Sequence, residues 1–414
     1  MKRYSILALA AGAMTRHRRW EPAWRTPQLR RSYDIVIVGA GGQGLATAYY
    51  LAKKHGVRNV AVLEKGYLGG GNTGRNTQVT RSNYYWPESA AFFDYSLKLW
   101  EGLSSELNFN IQLSQRGIMT LAHSPHELDA LRRWANAIQV NEVDSLVLSP
   151  EDIQRRVPLL RLDGRYPVCG GFLQPRAGTS RHDAVSWGFA RGASALGVDI
   201  IQQCEVTGLT MQGDRVTGVE TSRGPIGACR VMLAVAGHTS VLAAMAGLRL
   251  PIVSMSLQAY VSEPVKPCLD TVLLSPVVHM YLSQSDRGEI VFGGGADVYA
   301  SYSQRGGVPV LQDTIAAVVE LFPAFSRLRL MRQWAGIVDI TPDTTPLMGT
   351  TPVENLYISG GWGTGGYKAI PAGGDTMAYT LVHGTPHPLI KHFGLDRFAR
   401  GALIDEGAAS GVAH

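Results

Sequence analysis

The chain has 414 residues, long enough for two domains sharing a sizeable core, and its 45% hydrophobic and 17% charged content excludes a disordered chain. Its four cysteines, Cys169, Cys204, Cys229 and Cys268, are widely spread and form no C-x-x-C pair. That argues against a zinc site or a disulfide framework and suits a reducing, cytoplasmic compartment. The net charge of +6 marks no nucleic-acid face: residues 1–31 carry eight basic side chains against Glu21 alone, a net +7, leaving the rest about neutral.

That basic arm, residues 1–32, comes first along the chain. Lys2 and Arg3 followed by SILALAAGAM resemble the start of a signal peptide. The apolar run then meets Arg16, Arg18, Arg19, Trp20 and Trp24 instead of a processing site, and it is too short to span a bilayer. Tryptophan and arginine are the residue types that anchor interfaces, so the arm is expected to dock on a partner subunit, a disordered leader being the alternative.

The segment DIVIVGAGGQGLATAYYLAKKHGVRNVAVLE, Asp34 to Glu64, then reads as strand, glycine turn, helix, strand and acid. Gly39 permits the sharp turn, Gly41 lets backbone N–H groups approach a pyrophosphate, and Gly44 lets helix and strand pack closely. The helix N-terminus supplies partial positive charge for phosphates. Glu64, 20 residues after Gly44, is placed to bond ribose hydroxyls.

A glycine-rich loop, GYLGGGNTGRNTQVTRSNYYW, follows the second strand. Residues 88–108 and 125–138 read as helices, Asp199 to Gly237 as short strands with turns, and 251–300 as strand-rich. Helical periodicity returns at TIAAVVELFPAF, and LYISGGWGTGGYKAIPAGGDTMAYTLV gives another strand, glycine loop and helix. Nucleotide-type elements interrupted by strand-rich segments imply an α/β fold with a discontinuous cofactor domain (33–110, 170–250, 335–390). The inserted substrate domain is an antiparallel sheet (111–169, 251–334), and 391–414 is a C-terminal tail.

The GxGxxG turn, the strand VMLAVAGHTS and the loop GGWGTGGYKAIPAGG together resemble the FAD-dependent amine and D-amino acid oxidase superfamily, which implies its Rossmann-like FAD-binding domain. The strings NTQVTRSNYYW, GTSRHDAVSWGFARGA, QWAGIVDITPD and RFARGALIDEGAASGVAH are similar to the beta subunits of heterotetrameric sarcosine oxidases. The resemblance covers essentially the whole chain. It implies oxidation of sarcosine to glycine and a one-carbon unit, with alpha, gamma and delta partner chains. It also implies non-covalent FAD and FMN bound covalently to a histidine, FAD taking two electrons from the amine and FMN passing them to oxygen. NAD and tetrahydrofolate belong to the alpha chain in that family. No nucleic-acid or membrane partner and no metal is implied.

The resemblance places FAD contacts at Gly39, Gly41, Gly42, Gly44, Glu64 and Lys65. It extends them to Asn72, Thr73, Arg75, Asn76, Gln78 and Val79, and to Val206, Gly363, Gly366 and Lys368. The loop Gly360 to Gly366 is a source of N–H donors for a ring that gains electron density on reduction. Lys368 and Arg81 match residues that hold the substrate carboxylate, where two cations give orientation as well as affinity. From spacing alone, a solvated loop lysine and a surface ion-pair arginine read equally well. Tyr281, in HMYLS, matches a substrate-contacting tyrosine or is a core tyrosine.

His182, in TSRHDAVSW, matches the FMN-bearing histidine; read alone it is a capping or packing residue beside Ser180, which could cap a helix beginning near Arg181. The related monomeric enzymes bond FAD through a cysteine where this chain reads IVDITPDTTP, so covalent FAD is not expected. Their substrate-site histidine also lacks a counterpart around GGGADVY. Two readings from other classes stay open: a non-catalytic flavin-binding scaffold, and a D-amino acid or opine dehydrogenase passing electrons to a quinone.

Overall fold

The computed structural model describes residues 5–16, 18, 22–404 and 406. Strand Ser32–Val38 runs into Gly39, helix Gly42–His55 and strand Val60–Leu63, as the sequence dictates. Gly39 adopts φ +106°, a left-handed conformation that side chains resist, and a Cβ there would overlap the Ala234 carbonyl. A Cβ on Gly44 would strike the Gly39 carbonyl, so the helix can press against the turn only with glycine at this position.

The first sheet has eight strands. Its central run, Leu356–Gly360, Ile226–Leu233, Ser32–Val38, Val60–Leu63 and Asp199–Ile201, is parallel throughout. These strands are buried on both faces, which is why they read as unbroken apolar runs. Helix Ile370–His383 crosses helix Gly42–His55 closely, because Gly373 and Gly374 face Gln43 and Ala46 with no room for a Cβ. Both helices begin at the same cavity, with Gly42 and Ile370 in its wall.

The second sheet also has eight strands, in the order Leu330–Ile340, Val253–Pro264, Glu289–Ala300, Met280–Gln284, Val272–Ser275, Ile118–Ala122, Gly170–Gln174 and Leu146–Leu148. It is antiparallel except where Val272–Ser275 runs parallel to Ile118–Ala122. Two expected boundaries shift. Gly170–Gln174 pairs with Ile118–Ala122 in this second sheet, not with the nucleotide strands, and Leu330–Ile340 carries the second sheet past residue 335. Pairing across strands sets these boundaries, and local apolar pattern does not encode it.

The arm, expected to dock on a partner subunit, is held in part by this chain itself. Trp24 packs on the main core, Arg25 and Arg30 pair with the buried Asp199 carboxylate at 3.4 and 3.0 Å, and the Arg25 N–H donates to Ser194 Oγ. These residues therefore dock on their own chain. Helix Ile6–Met14 leaves Ile6, Leu7, Leu9 and Met14 exposed, while Lys2, Arg3, Arg19 and Trp20 lie outside the described residues.

Residues 391–404 are likewise more than a tail. Arg397, 3% exposed, grips Asp343 through Nε–Oδ2 at 2.8 Å and Nη2–Oδ1 at 2.9 Å. Burial alone would raise the Asp343 carboxyl, but the guanidinium holds it below the usual range. Glu406 then accepts the Tyr85 and Trp86 N–H groups at the start of helix Pro87–Glu106. Arg397→Met strands a buried carboxylate and is expected to lower stability by ~3–5 kcal/mol, read as a fall in urea midpoint. A loss under about 1 kcal/mol would mean that water reaches Asp343 in the variant.

Candidate active site

A cavity of about 910 Å³ lies between the two sheets. Gly39, Gly41, Gly42, Glu64 and Lys65 line one part of it; Arg81, Tyr281 and Lys368 line another. Sites for bound ligands typically measure roughly 300–1,000 Å³, so this one can take a dinucleotide-sized molecule. Its wall also carries buried polar atoms without a hydrogen-bond partner among the described residues, Gln43 Oε1, Thr120 Oγ1, Ser359 Oγ and Trp362 Nε1. Buried polar atoms are rarely left unpaired, so the cavity calls for a polar ligand. FAD fits these residues: a glycine turn and helix N-terminus for phosphates, a carboxylate for ribose, and unpaired donors and acceptors beyond.

At the nucleotide end, Glu64 Oε2 accepts the Ala40 N–H at 3.0 Å and Oε1 the Gly66 N–H at 2.9 Å. The carboxylate is thereby fixed at the strand end, facing the cavity. Val206 also lines this part of the wall, as does Cys204, whose N–H donates to the Glu64 carbonyl. Gly44 is absent from the wall; its work is packing. Gly44→Val is therefore expected to weaken FAD retention by about tenfold or more, seen as a lower flavin-to-protein absorbance ratio. Normal flavin content in that variant would contradict the packing argument.

The loop after the second strand shapes the wall. Thr73 Oγ1 accepts the Gly42 N–H at 2.9 Å. Asn72 bonds both backbone groups of Ile337, at 2.5 and 3.0 Å, tying this loop to the second sheet. Arg75 donates to the Gly70 and Gly71 carbonyls, and Asn76 to that of Thr73. Asn72, Thr73, Arg75, Asn76 and Val79 all line the cavity, but the polar side chains among them serve loop shape through bonds to protein. Gln78 is outside the wall; its carbonyl accepts the Ser180 N–H.

Arg81 and Lys368 converge. Neither is a surface residue, at 5% and 7% exposure, because strand Val79–Thr80 and the loop before helix Ile370–His383 both run through the interior. Arg81 Nη1 donates to Asn83 Oδ1 at 2.7 Å, and its guanidinium lies 4.8 Å from the Tyr84 ring centroid. Lys368 Nζ donates to the Thr364 carbonyl at 2.9 Å. Burial, followed by the nearby Arg81 charge, lowers the Lys368 pKa well below the ordinary lysine value. A buried cation pair of this kind is relieved by an incoming carboxylate. Tyr281 also lines the cavity, and burial raises its phenol pKa above the ordinary value.

His182 lies apart from this cavity, as the first residue of helix His182–Ala195. Ser180 does not cap that helix; Arg181 occupies the cap position without a side-chain bond, and Ser180 Oγ pairs with Tyr367 Oη at 2.8 Å. Burial lowers the His182 pKa below the usual histidine value, and its buried Nδ1 makes no hydrogen bond among the described residues.

The glycine loop differs from expectation. The Gly361 N–H donates to Asp339 Oδ2 at 2.6 Å, the Gly363 N–H to the Asp339 carbonyl at 2.8 Å, and the Gly365 N–H to the Trp362 carbonyl. Gly363 and Gly366 line the cavity, yet three of the loop's donors are committed within the protein. Sequence reading missed Asp339, Trp362, His238 and His279 in the wall; Asp339 and His279 come with strands of the second sheet, His238 and Trp362 from the turn and loop that follow strands of the first. The buried acid inside the apolar string QWAGIVDI was the signal for Asp339. Among the described residues, no group of histidine, cysteine and acidic side chains could hold a metal, and no helix is long and apolar enough to cross a membrane.

A parallel sheet feeding a glycine turn into a large, mostly apolar cavity with a few convergent polar groups defines a dinucleotide-binding protein. The family model described as FAD dependent oxidoreductase matches residues 34–380. The chain is 51% identical to the sarcosine oxidase subunit beta of Rhodobacter capsulatus over 415 aligned residues, covering 100% of each. It is 52% identical to the protein of that name from an Arthrobacter species, over 94% of this chain and 97% of that one. Among solved structures, L-proline dehydrogenase from P. horikoshii superposes with a TM-score of 0.85 at 27% identity, over 91% of this chain and 100% of that one. The chain belongs to the FAD-dependent oxidoreductases, in the branch of the sarcosine oxidase beta subunits.

Proposed function

We propose that this chain is the catalytic beta subunit of a cytoplasmic heterotetrameric sarcosine oxidase. It would act with alpha, gamma and delta partners, converting sarcosine to glycine and a one-carbon unit, formaldehyde or methylene-tetrahydrofolate, with release of H2O2. The observation that carries this reading is the convergence of Arg81 and Lys368 in the wall of the cavity that begins at Gly39 and Glu64. A small amino acid has one carboxylate to hold and one C–H bond to present, and two fixed cations orient the first so that the second is presented reproducibly. The first sheet is read as the FAD domain and the second as the wall over the substrate.

The chemistry supplied by the bound flavins is two-electron amine oxidation at FAD and delivery of electrons to oxygen at FMN. The chain's own part is to bind the carboxylate at Arg81 and Lys368, exclude water with the second sheet and place Tyr281 beside the substrate. His182 is the proposed FMN attachment point. Its support is a half-buried, neutral imidazole outside the FAD cavity whose buried Nδ1 has no partner among the described residues, which leaves a nucleophilic lone pair and separates the two flavin sites. NAD and tetrahydrofolate are assigned to the alpha partner. Co-expression with the genes beside this one, followed by flavin analysis and an amine screen, tests the whole reading. A complex holding FAD alone and reducing a quinone with D-amino acids or opines would replace it.

A further inference from the structure

We propose that Asp339, the residue that holds the Gly361–Thr364 loop, sets through its charge the ease with which the FAD site accepts electrons. This rests on FAD occupying the cavity. Asp339 is 1% exposed, at the end of strand Leu330–Ile340, and lines the cavity. Its Oδ2 takes the Gly361 N–H at 2.6 Å, and its carbonyl takes the Gly363 N–H at 2.8 Å. Two glycines with φ of +63° and +50° are thus held by one acidic residue, in a loop whose Trp362, Gly363 and Thr364 share the cavity wall.

The charged and titratable groups on the elements around it are few. Strand Val253–Pro264 presents Ser254 opposite Asp339. The turn Ala236–His238 carries His238, whose pKa burial lowers, and the turn Asn72–Arg75 carries Arg75, bonded to Gly70, Gly71 and Gln304. Beyond the loop stand Lys368 and Arg81, and further along the chain Asp343 is paired with Arg397. What acts on Asp339 is burial, then the N–H groups of Trp362, Asp339 itself and Gly361; burial dominates and pushes the carboxyl up to about 7. With no cation paired to it among the described residues, the ionised side chain is a negative charge in the wall of the flavin cavity, held only by backbone N–H groups.

Linkage follows. Transfer of a hydride from the substrate to the flavin adds one negative charge to the cavity, which raises the affinity of Asp339 for a proton, so an ionised Asp339 takes one up from solvent. The sign is fixed: protonated Asp339 favours reduction and ionised Asp339 opposes it. Reduction is therefore eased as pH falls through the neutral range, beyond the flavin's own dependence.

The test is spectroelectrochemical titration of bound FAD across pH 5.5–9 in the assembled protein, in a His182→Asn background so that FAD is the single flavin titrated. The expected wild-type curve of midpoint potential against pH has an added break near neutrality. Asp339→Asn should remove the break and make reduction about tenfold more favourable at high pH, the side chain keeping its size and its acceptor for the Gly361 N–H. Superimposable curves, or a lower FAD content in Asp339→Asn with an unchanged potential, would reduce Asp339 to a structural residue and overturn the proposal. Should that variant fail to fold, the curve of the Asp339-bearing protein decides alone: no break between pH 6 and 8 overturns it. A protein that holds no FAD at all would instead remove the reading on which the proposal stands.

Discussion

Alanine at either Arg81 or Lys368 should lower kcat/KM for the amino-acid substrate about a hundredfold, because each loses one charge-assisted contact worth ~2–3 kcal/mol. Both side chains are buried and held, Arg81 on Asn83 and the Tyr84 ring, Lys368 on the Thr364 carbonyl. Their charges are therefore already directed when a carboxylate arrives. The pH dependence has a definite sign. Burial and Arg81 lower the Lys368 pKa, so the free enzyme gives up this proton well before an ordinary lysine would. Carboxylate binding, followed by the spectral shift of the flavin, should weaken as pH rises through that lowered value. Arg81→Gln removes the like charge, so the remaining alkaline limb should move to higher pH even as binding weakens overall. Steady-state kinetics within about twofold of wild type in either alanine variant would remove both residues from the substrate site.

His182→Asn should abolish protein-bound flavin after acid precipitation while leaving extractable FAD unchanged. In the wild-type complex, acid should release FAD into the supernatant and leave yellow protein, with the added mass of one FMN on the peptide containing His182. The expected independence of FAD from a flavin on His182 follows from position, since His182 begins a helix outside the cavity that runs from Gly39 to Lys368. Reduction of FAD by sarcosine should persist in the variant while electron delivery to oxygen slows. Complete extraction of flavin from the assembled wild type would leave His182 an ordinary structural histidine.

Local sequence determined the nucleotide-binding unit, because its constraints are local. Gly39 must turn with positive φ, Gly44 must clear the Gly39 carbonyl, and Glu64 must end the second strand. The helices at Pro87–Glu106, Pro125–Val140 and Ile370–His383 were legible for the same reason, periodicity and caps being properties of neighbouring residues. Arg81, Lys368 and Tyr281 could be named from resemblance, but spacing alone left the two cations indistinguishable from surface residues.

Tertiary structure decided what depends on partners distant in sequence. Gly170–Gln174 joined the second sheet because its hydrogen bonds are made with Ile118–Ala122, and an apolar strand does not declare which edge it will pair with. Trp24, Arg25 and Arg30 settled on their own chain because Asp199, buried at the end of the parallel sheet, needed cations that no nearby residue in sequence supplies. The setting of Asp339 emerged only when strand Leu330–Ile340 was laid against the loop after strand Leu356–Gly360, giving its buried carboxyl the Gly361 N–H to hold while its backbone carbonyl takes that of Gly363. Burial, which governs the proton affinities of Asp339 and Lys368 alike, is created by packing across the whole fold and has no local signature in the chain.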